Sequence, residues 1–322
     1  MSFESIKQLL SQDMSIVDGV IRARLHSEVV LVNQVGEYII SSGGKRLRPA
    51  LVVLSANAFG YPGEHHHHLA AVVEFIHTAT LLHDDVVDES ELRRGRATAS
   101  ALFGNAASVL VGDFLYSRAF QMMVEVDNMR VMQVLAEATN TIAEGEVLQL
   151  LNCRDADVGA ENYLHVIHCK TAKLFEAAMR LGAILSKSTA NDEDAAAKYG
   201  MHLGTAFQLV DDVLDYSADE LQTGKHLGDD LAEGKPTLPL IYAMQHGSSE
   251  QAALVRDAIE QGDVGKFVEV LQIIRATGAL EFTRQQAARE ADLACSALAP
   301  LPDSKYKRCL LELADFAATR QF

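Results

Sequence analysis

No proline occurs between Pro62 and Pro236, and through that stretch apolar residues recur at three- and four-residue spacing. Proline removes a backbone donor and clashes inside a helix, so its absence together with that periodicity predicts helix after helix. The segments Ala106 to Val124 and Met132 to Leu151 are rich in Ala, Leu, Met, Glu and Gln and show no strand-like alternation. The expected class is all-α. The 322 residues contain no Ser- or Pro-rich linker and no repeat beyond one pair of aspartate clusters, so a single domain over residues 1–322 is the simplest organisation. Breaks are expected in Ser41 to Ala50, Gly60 to His68 and Gln222 to Pro239, where Gly and Pro gather.

The formal net charge of -16 works against a broad nucleic-acid or anionic-membrane surface, because both need basic residues to displace counterions or meet head groups. An anionic substrate must then be held by local cations. The opening MSFESIKQLLSQDM lacks the basic-then-apolar order of a signal peptide. Later segments fall short of the roughly 18 apolar residues of a membrane span, so the expected location is the cytoplasm. Cys153, Cys169, Cys295 and Cys309 form no CxxC pair and read as reduced, buried thiols.

Two clusters carry chemistry. DDVVD supplies Asp84, Asp85 and Asp88, and DDVLD repeats the spacing at Asp211, Asp212 and Asp215, each directly after an apolar run. On a helix, the first and last carboxylates of each cluster lie one turn apart on one face with the middle one beside them. Like charges so placed repel unless a cation sits between them, and hard oxygen donors suit Mg²⁺ that also binds substrate phosphate. A single acidic cluster is usually a solvated face; two of identical spacing, able to face each other across a cavity, are not ordinary surface. Basic residues stand close by. Arg93 and Arg94 follow the first cluster, Lys225 and Lys235 follow the second, and Lys45, Arg46 and Arg48 adjoin the Gly43-Gly44 turn. Each alone reads as a surface charge; together they can neutralise a diphosphate.

GGKRLRP, DDVVD with its following RRG, GEVLQ at Gly145 to Gln149, Lys170-Thr171 and FQLVDDVLD occur in the order found in the trans-isoprenyl diphosphate synthase, or polyprenyl synthetase, family. The chain resembles that family from about Gly43 to Pro239, and within it the bacterial octaprenyl diphosphate synthase branch. The resemblance implies the isoprenoid synthase fold, a helical bundle around a central cavity. It also implies Mg²⁺, about two to three ions per active site. By the same resemblance, Asp84 and Asp88 with Asp85 in support, and Asp211 with Asp212 and Asp215, bind the metal. Arg93, Lys170, Lys225 and Lys235 grip the allylic diphosphate, while Lys45, Arg48, His77 and Arg94 form the isopentenyl diphosphate site. Thr171 and Gln208 turn oxygens toward the developing carbocation. The implied reaction lengthens an allylic diphosphate, farnesyl diphosphate foremost, with successive isopentenyl diphosphates, to octaprenyl diphosphate for quinone side chains. A homodimer is implied, with apolar helices such as Ala106 to Met123 available as its interface, and transient bilayer contact at product release.

Ala79 and Thr80 precede Asp84 by about one helical turn and are small, where short-chain relatives look blocked by an aromatic. A long-chain product follows, with Phe120, Met122 and Met123 as candidate tunnel floor or as plain core. His65 to His68 read as a solvated loop. Glu64-x-x-His67 and Glu74-x-x-His77 have di-iron bundle spacing but lie too close together in the chain for separate helices. Two other classes stand beside the prenyltransferase: a terpene synthase, disfavoured by the Lys45, Arg48 and Arg94 set, and a non-catalytic subunit, disfavoured by two complete aspartate clusters.

Overall fold

Helices follow one another almost without interruption in the structure, a computed structural model that describes residues 3–41, 43–93, 95–217 and 228–320. They are α1 (Phe3–Leu25), α2 (Val30–Ser41), α3 (Leu47–Ala58) and α4 (His65–Val87). A two-residue antiparallel pair, β1 (Leu92–Arg93) and β2 (Arg96–Ala97), comes next. Then come α5 (Ala99–Phe103), α6 (Asn105–Glu125), α7 (Met129–Asn152), α8 (Ala160–Ile167) and, after a π turn at His168–Ala172, α9 (Lys173–Leu185) and α10 (Ala190–Asp215). The rest is α11 (Asp229–Ala232), α12 (Leu238–His246), α13 (Ser249–Gln261), α14 (Phe267–Thr277), α15 (Ala279–Ala297) and α16 (Lys305–Thr319). The all-α expectation holds, and α6 and α7 cover the two segments singled out by composition.

The contacts divide the chain into two units. The first comprises Met1–Thr139, Leu174–Gly200 and Ala297–Glu312; the second comprises Asn140–Lys173, Met201–Ser296 and Leu313–Phe322. In the first unit α4 is the central element. Leu69, Val72, Val73, Phe75, Ile76, Ala79 and Leu82 have no solvent exposure, and α4 packs against α1, α3 and α6. A helix apolar on most sides is stable only when surrounded in this way. The backbones of α3 and α9 approach closely: a Cβ on Gly182 would meet Ser55 Oγ at 2.3 Å, and that hydroxyl donates to the Met179 carbonyl at 2.6 Å.

The second unit packs Tyr216, Leu231, Leu240, Ile259, Val270 and Ile274 in one cluster, and Tyr163, Ile167, Leu209, Val210, Leu214 and Ile241 in another. Local signals set the helix limits. Thr237 precedes α12 and Pro239 sits in its first turn, where a missing N–H costs nothing. Around α13, Ser248 and Gln251 exchange reciprocal hydrogen bonds at the start, and Gly262 ends the helix at φ 60°.

One expectation is corrected. His65 to His68 are not a solvated loop but the first turn of α4, and His66 and His67 are only 6% and 8% exposed. The cause is tertiary: Asp13 on α1 meets His67 Nε2 at 2.8 Å, and His68 Nε2 lies 3.1 Å from the Met122 carbonyl. Cys169 and Cys309 are buried, and Cys153 and Cys295 are half-buried. No helix among the described residues is long and apolar enough to cross a membrane.

Candidate active site

Asp84 and Asp85 occupy the last turn of α4, and Asp88 caps it, its N–H bonding back to the Asp84 carbonyl at 2.8 Å. The C-terminal end of a helix carries partial negative charge, so three carboxylates there are doubly disfavoured until a cation joins them. Asp84 and Asp88 are half-buried, whereas Asp85 is 1% exposed. Arg93 on β1 places Nε and Nη2 each 2.7 Å from Asp85 Oδ1, and Asp85 Oδ2 is buried with no hydrogen-bond partner. Burial pushes the Asp85 carboxyl above its usual range; Arg93 pulls it down, and Asp84 and Asp88 push it up again. The donor set fits a hard divalent cation: two carboxylates one turn apart, with an orphaned buried oxygen beside them.

The cations of this unit gather near the start of α3. Gly43 and Gly44 have φ of 77° and 154°, a turn that brings Lys45, Arg46 and Arg48 to the helix start. Arg48 Nη1 lies 3.1 Å from His77 Nε2, and its guanidinium sits 4.6 Å over the Phe175 ring, so these two predicted residues are neighbours. Arg46 donates to Glu74 at 2.7 Å. That contact, together with the pairing of His67 to Asp13, commits both Glu-x-x-His motifs to roles other than di-iron ligation. Thr80 is half-buried and donates to the His77 carbonyl at 2.8 Å, while Ala79, Met122 and Met123 are fully buried and Phe120 is half-buried.

In the second unit, Asp211, Asp212 and Asp215 fill the last turn of α10, the same disfavoured electrostatic position. Their environments differ sharply. Asp212 is 2% exposed; Gln208 Nε2 donates to its Oδ1 at 2.9 Å, and the Tyr163 hydroxyl donates to its Oδ2 in a short bond. Gln208 Oε1 in turn accepts from Thr171 at 3.1 Å. A continuous chain therefore runs from Thr171 through Gln208 and Asp212 to Tyr163, and it fixes which face of the Gln208 amide bears the oxygen. Burial pushes the Asp212 carboxyl well above the usual range and Asp230 adds to this, while the Tyr163 and Gln208 bonds oppose it. Asp211 Oδ1 accepts from Arg320 Nη2 at 2.6 Å, and Asp215 Oδ2 accepts from the Asp230 N–H at 3.3 Å.

Lys170 and Thr171 lie in the π turn, which interrupts α-helical spacing; such bulges recur at functional sites because they re-aim side chains. Gly145 makes room for it. A Cβ there would meet Cys169 Cβ and the Lys170 backbone nitrogen, each at 2.8 Å. Lys170 Nζ contacts Glu146 at 2.5 Å, and Lys235 pairs with Glu233. Arg94 and Lys225 lie outside the described residues.

Two residues escaped sequence reasoning. Tyr163 carries no motif. Arg320 lies near the end of a tail that reads only as helical, yet it is 5% exposed, stacks 3.9 Å over Phe207 and reaches Asp211 across 109 positions of chain. A lone aromatic and a lone Arg give no local signal.

The comparisons with known proteins agree with one another. The polyprenyl synthetase family matches residues 29–274. The chain is 56% identical over 321 residues to an octaprenyl diphosphate synthase of Escherichia coli, covering 99% of each. Among solved structures, a polyprenyl synthase from Caulobacter crescentus, complexed with calcium and isoprenyl diphosphate, superposes with a TM-score of 0.96 at 44% identity, covering 100% of this chain and 98% of that one. A decaprenyl diphosphate synthase from Rhodobacter capsulatus gives a TM-score of 0.94 at 45% identity over all of both chains. With the motifs in order, the fold all-helical and these likenesses spanning the full length, the chain belongs to the polyprenyl synthetase family.

Proposed function

We propose that the protein is a long-chain trans-polyprenyl diphosphate synthase that condenses an allylic diphosphate, farnesyl diphosphate foremost, with successive isopentenyl diphosphates to octaprenyl diphosphate. The observation that carries this reading is the placement of both aspartate clusters in the last turn of a long helix, where the helix dipole adds to the repulsion among the carboxylates and a divalent cation relieves both. Asp84 and Asp88 would hold Mg²⁺ for the diphosphate substrate, and Asp211 and Asp215 would hold a further ion, about two to three ions in all. Asp85 and Asp212, both buried, position their neighbours: Asp85 holds Arg93, and Asp212 holds Gln208. When bound, the metal neutralises charge on the diphosphate and so promotes departure of the leaving group.

Arg93, Lys170, Lys225 and Lys235 add positive charge around the departing group, and Lys45, Arg48, His77 and Arg94 hold isopentenyl diphosphate. Arg48 and His77 support each other in that task. The allylic C–O bond breaks with its electron pair going to diphosphate, and oxygens of Thr171 and Gln208 stabilise the resulting cation. The alkene pair of isopentenyl diphosphate forms the new C–C bond, and the released diphosphate takes the proton. Thr80 lies on the Asp84 face of α4, and from there back to Ala70 the helix runs about 15 Å, a wall for a long product. Met123 contributes to its far end, and fully buried Ala79 keeps the helix close to its neighbours. The proposal includes one polyprenyl synthase domain over 1–322, a cytoplasmic homodimer, transient membrane contact on release and a product used for quinone side chains, as the resemblance in the sequence implies.

Mass analysis of products from farnesyl and isopentenyl diphosphates, with Mg²⁺ and with excess EDTA, tests this. A magnesium-dependent ladder ending at octaprenyl diphosphate is expected. A hydrocarbon or alcohol without diphosphate would make the protein a terpene synthase, and no product would make it a non-catalytic subunit.

A further inference from the structure

Eighteen positions back along α4 from Asp84, about 27 Å at the rise of a helix, stands a cluster unrelated to prenyl transfer. Asp13 on α1 and His66 and His67 in the first turn of α4 offer three ligand atoms all within 4.8 Å of one another. His67 Nε2 is 2.8 Å and His66 Nε2 3.8 Å from Asp13 Oδ1, and the two rings stand 3.9 Å apart. Ligands of a tetrahedral ion with bonds near 2.0–2.1 Å are separated by about 3.3 Å, so the observed spacings straddle the required value and small side-chain rotations suffice.

Burial strengthens the case. Both histidines are at least nine-tenths buried, and His66 Nδ1 is a buried nitrogen that makes no hydrogen bond of normal geometry. Two imidazoles and one carboxylate are the donors of a zinc-type ion; Mg²⁺ prefers an octahedron of oxygens. We propose that Asp13, His66 and His67 form a binding site for a divalent transition ion of the zinc class, with a fourth position open to water. The ion would fasten α1 to the start of α4, and these residues take no part in the aspartate chemistry.

The test uses full-length protein without a histidine tag, stripped by chelator and then dialysed against Zn²⁺ in excess Mg²⁺, which occupies the aspartate clusters. Metal content after gel filtration and the thermal midpoint with and without Zn²⁺ are measured for the unaltered chain, Asp13→Asn and His67→Gln. The proposal expects one more equivalent of retained zinc in the unaltered chain than in either variant, at least a tenfold loss of affinity in the variants, and a zinc-dependent rise in midpoint that both variants lose. Unchanged far-UV circular dichroism and unchanged prenyl transfer identify folded variants, with His66→Gln as replacement for one that fails. Equal zinc content in all forms, or none retained by the unaltered chain, overturns the proposal and leaves an Asp–His hydrogen bond.

Discussion

Removing the Tyr163 hydroxyl by Tyr163→Phe leaves one oxygen of Asp212 without its donor while changing almost no volume. Asp212 is 2% exposed and Tyr163 is 7% exposed, so water does not readily replace the lost bond. Leaving a buried polar group unsatisfied costs about 1–3 kcal/mol, and the carboxylate acceptor places the expected loss at about 2 kcal/mol. With an unfolding entropy of about 2.1 cal/mol/K per residue over 322 residues, that loss lowers the thermal midpoint by about 3 °C. The functional effect travels one step further: Asp212 orients Gln208, which accepts from Thr171. A loss of about 1.4 kcal/mol of transition-state stabilisation through a loosened Gln208 corresponds to a tenfold fall in kcat, with KM for both diphosphates nearly unchanged. The assay is steady-state incorporation of labelled isopentenyl diphosphate beside calorimetric melting, in a cycle with Asp212→Asn. Because Tyr163 acts through Asp212, its replacement should cost much less in the Asp212→Asn background. Equal cost in both backgrounds would refute the hydrogen-bond chain.

Thr80→Phe should shorten the product without abolishing turnover, read by mass analysis, because position 80 is half-buried on the Asp84 face; unchanged length would sink the tunnel argument. Gly145→Ala forces the π turn to move, since its Cβ would stand 2.8 Å from Cys169 Cβ and the Lys170 nitrogen. It should lose about 1–3 kcal/mol of stability in denaturant melts and also kcat, because Lys170 and Thr171 are displaced; a silent Gly145→Ala removes the packing role assigned to this glycine. The His168 pKa is lowered from 6.5, chiefly by burial and also by His202 and His165, with Glu290 opposing. Below 6.5 the unfolded chain therefore binds a proton that the folded chain resists, and stability falls as pH drops through that value. Urea melts at about pH 7.5 and 5.5 should show a smaller acid loss for His168→Gln than for the unaltered protein, and equal losses would contradict the burial assignment.

Much of this protein was legible because its strongest signals are local. Absence of proline and apolar spacing act within a few turns, so α6 and α7 fall where composition puts them. The five-residue aspartate spacing means one face of one helix turn wherever the helix lies, so Asp84 with Asp88 and Asp211 with Asp215 needed no tertiary information. Pairing between distant positions is different in kind. Nothing near His66 and His67 announces that Asp13 will draw them out of solvent, and nothing near Asp212 announces Tyr163, 49 residues away. Nor does the tail announce that Arg320 will reach Asp211. Sequence by itself determined the helices and the carboxylate pairs, since both follow from backbone geometry over one or two turns. Tertiary structure alone decided which carboxylates lie buried and which histidines left the solvent, because burial and partnership depend on what packs against a residue from elsewhere in the chain.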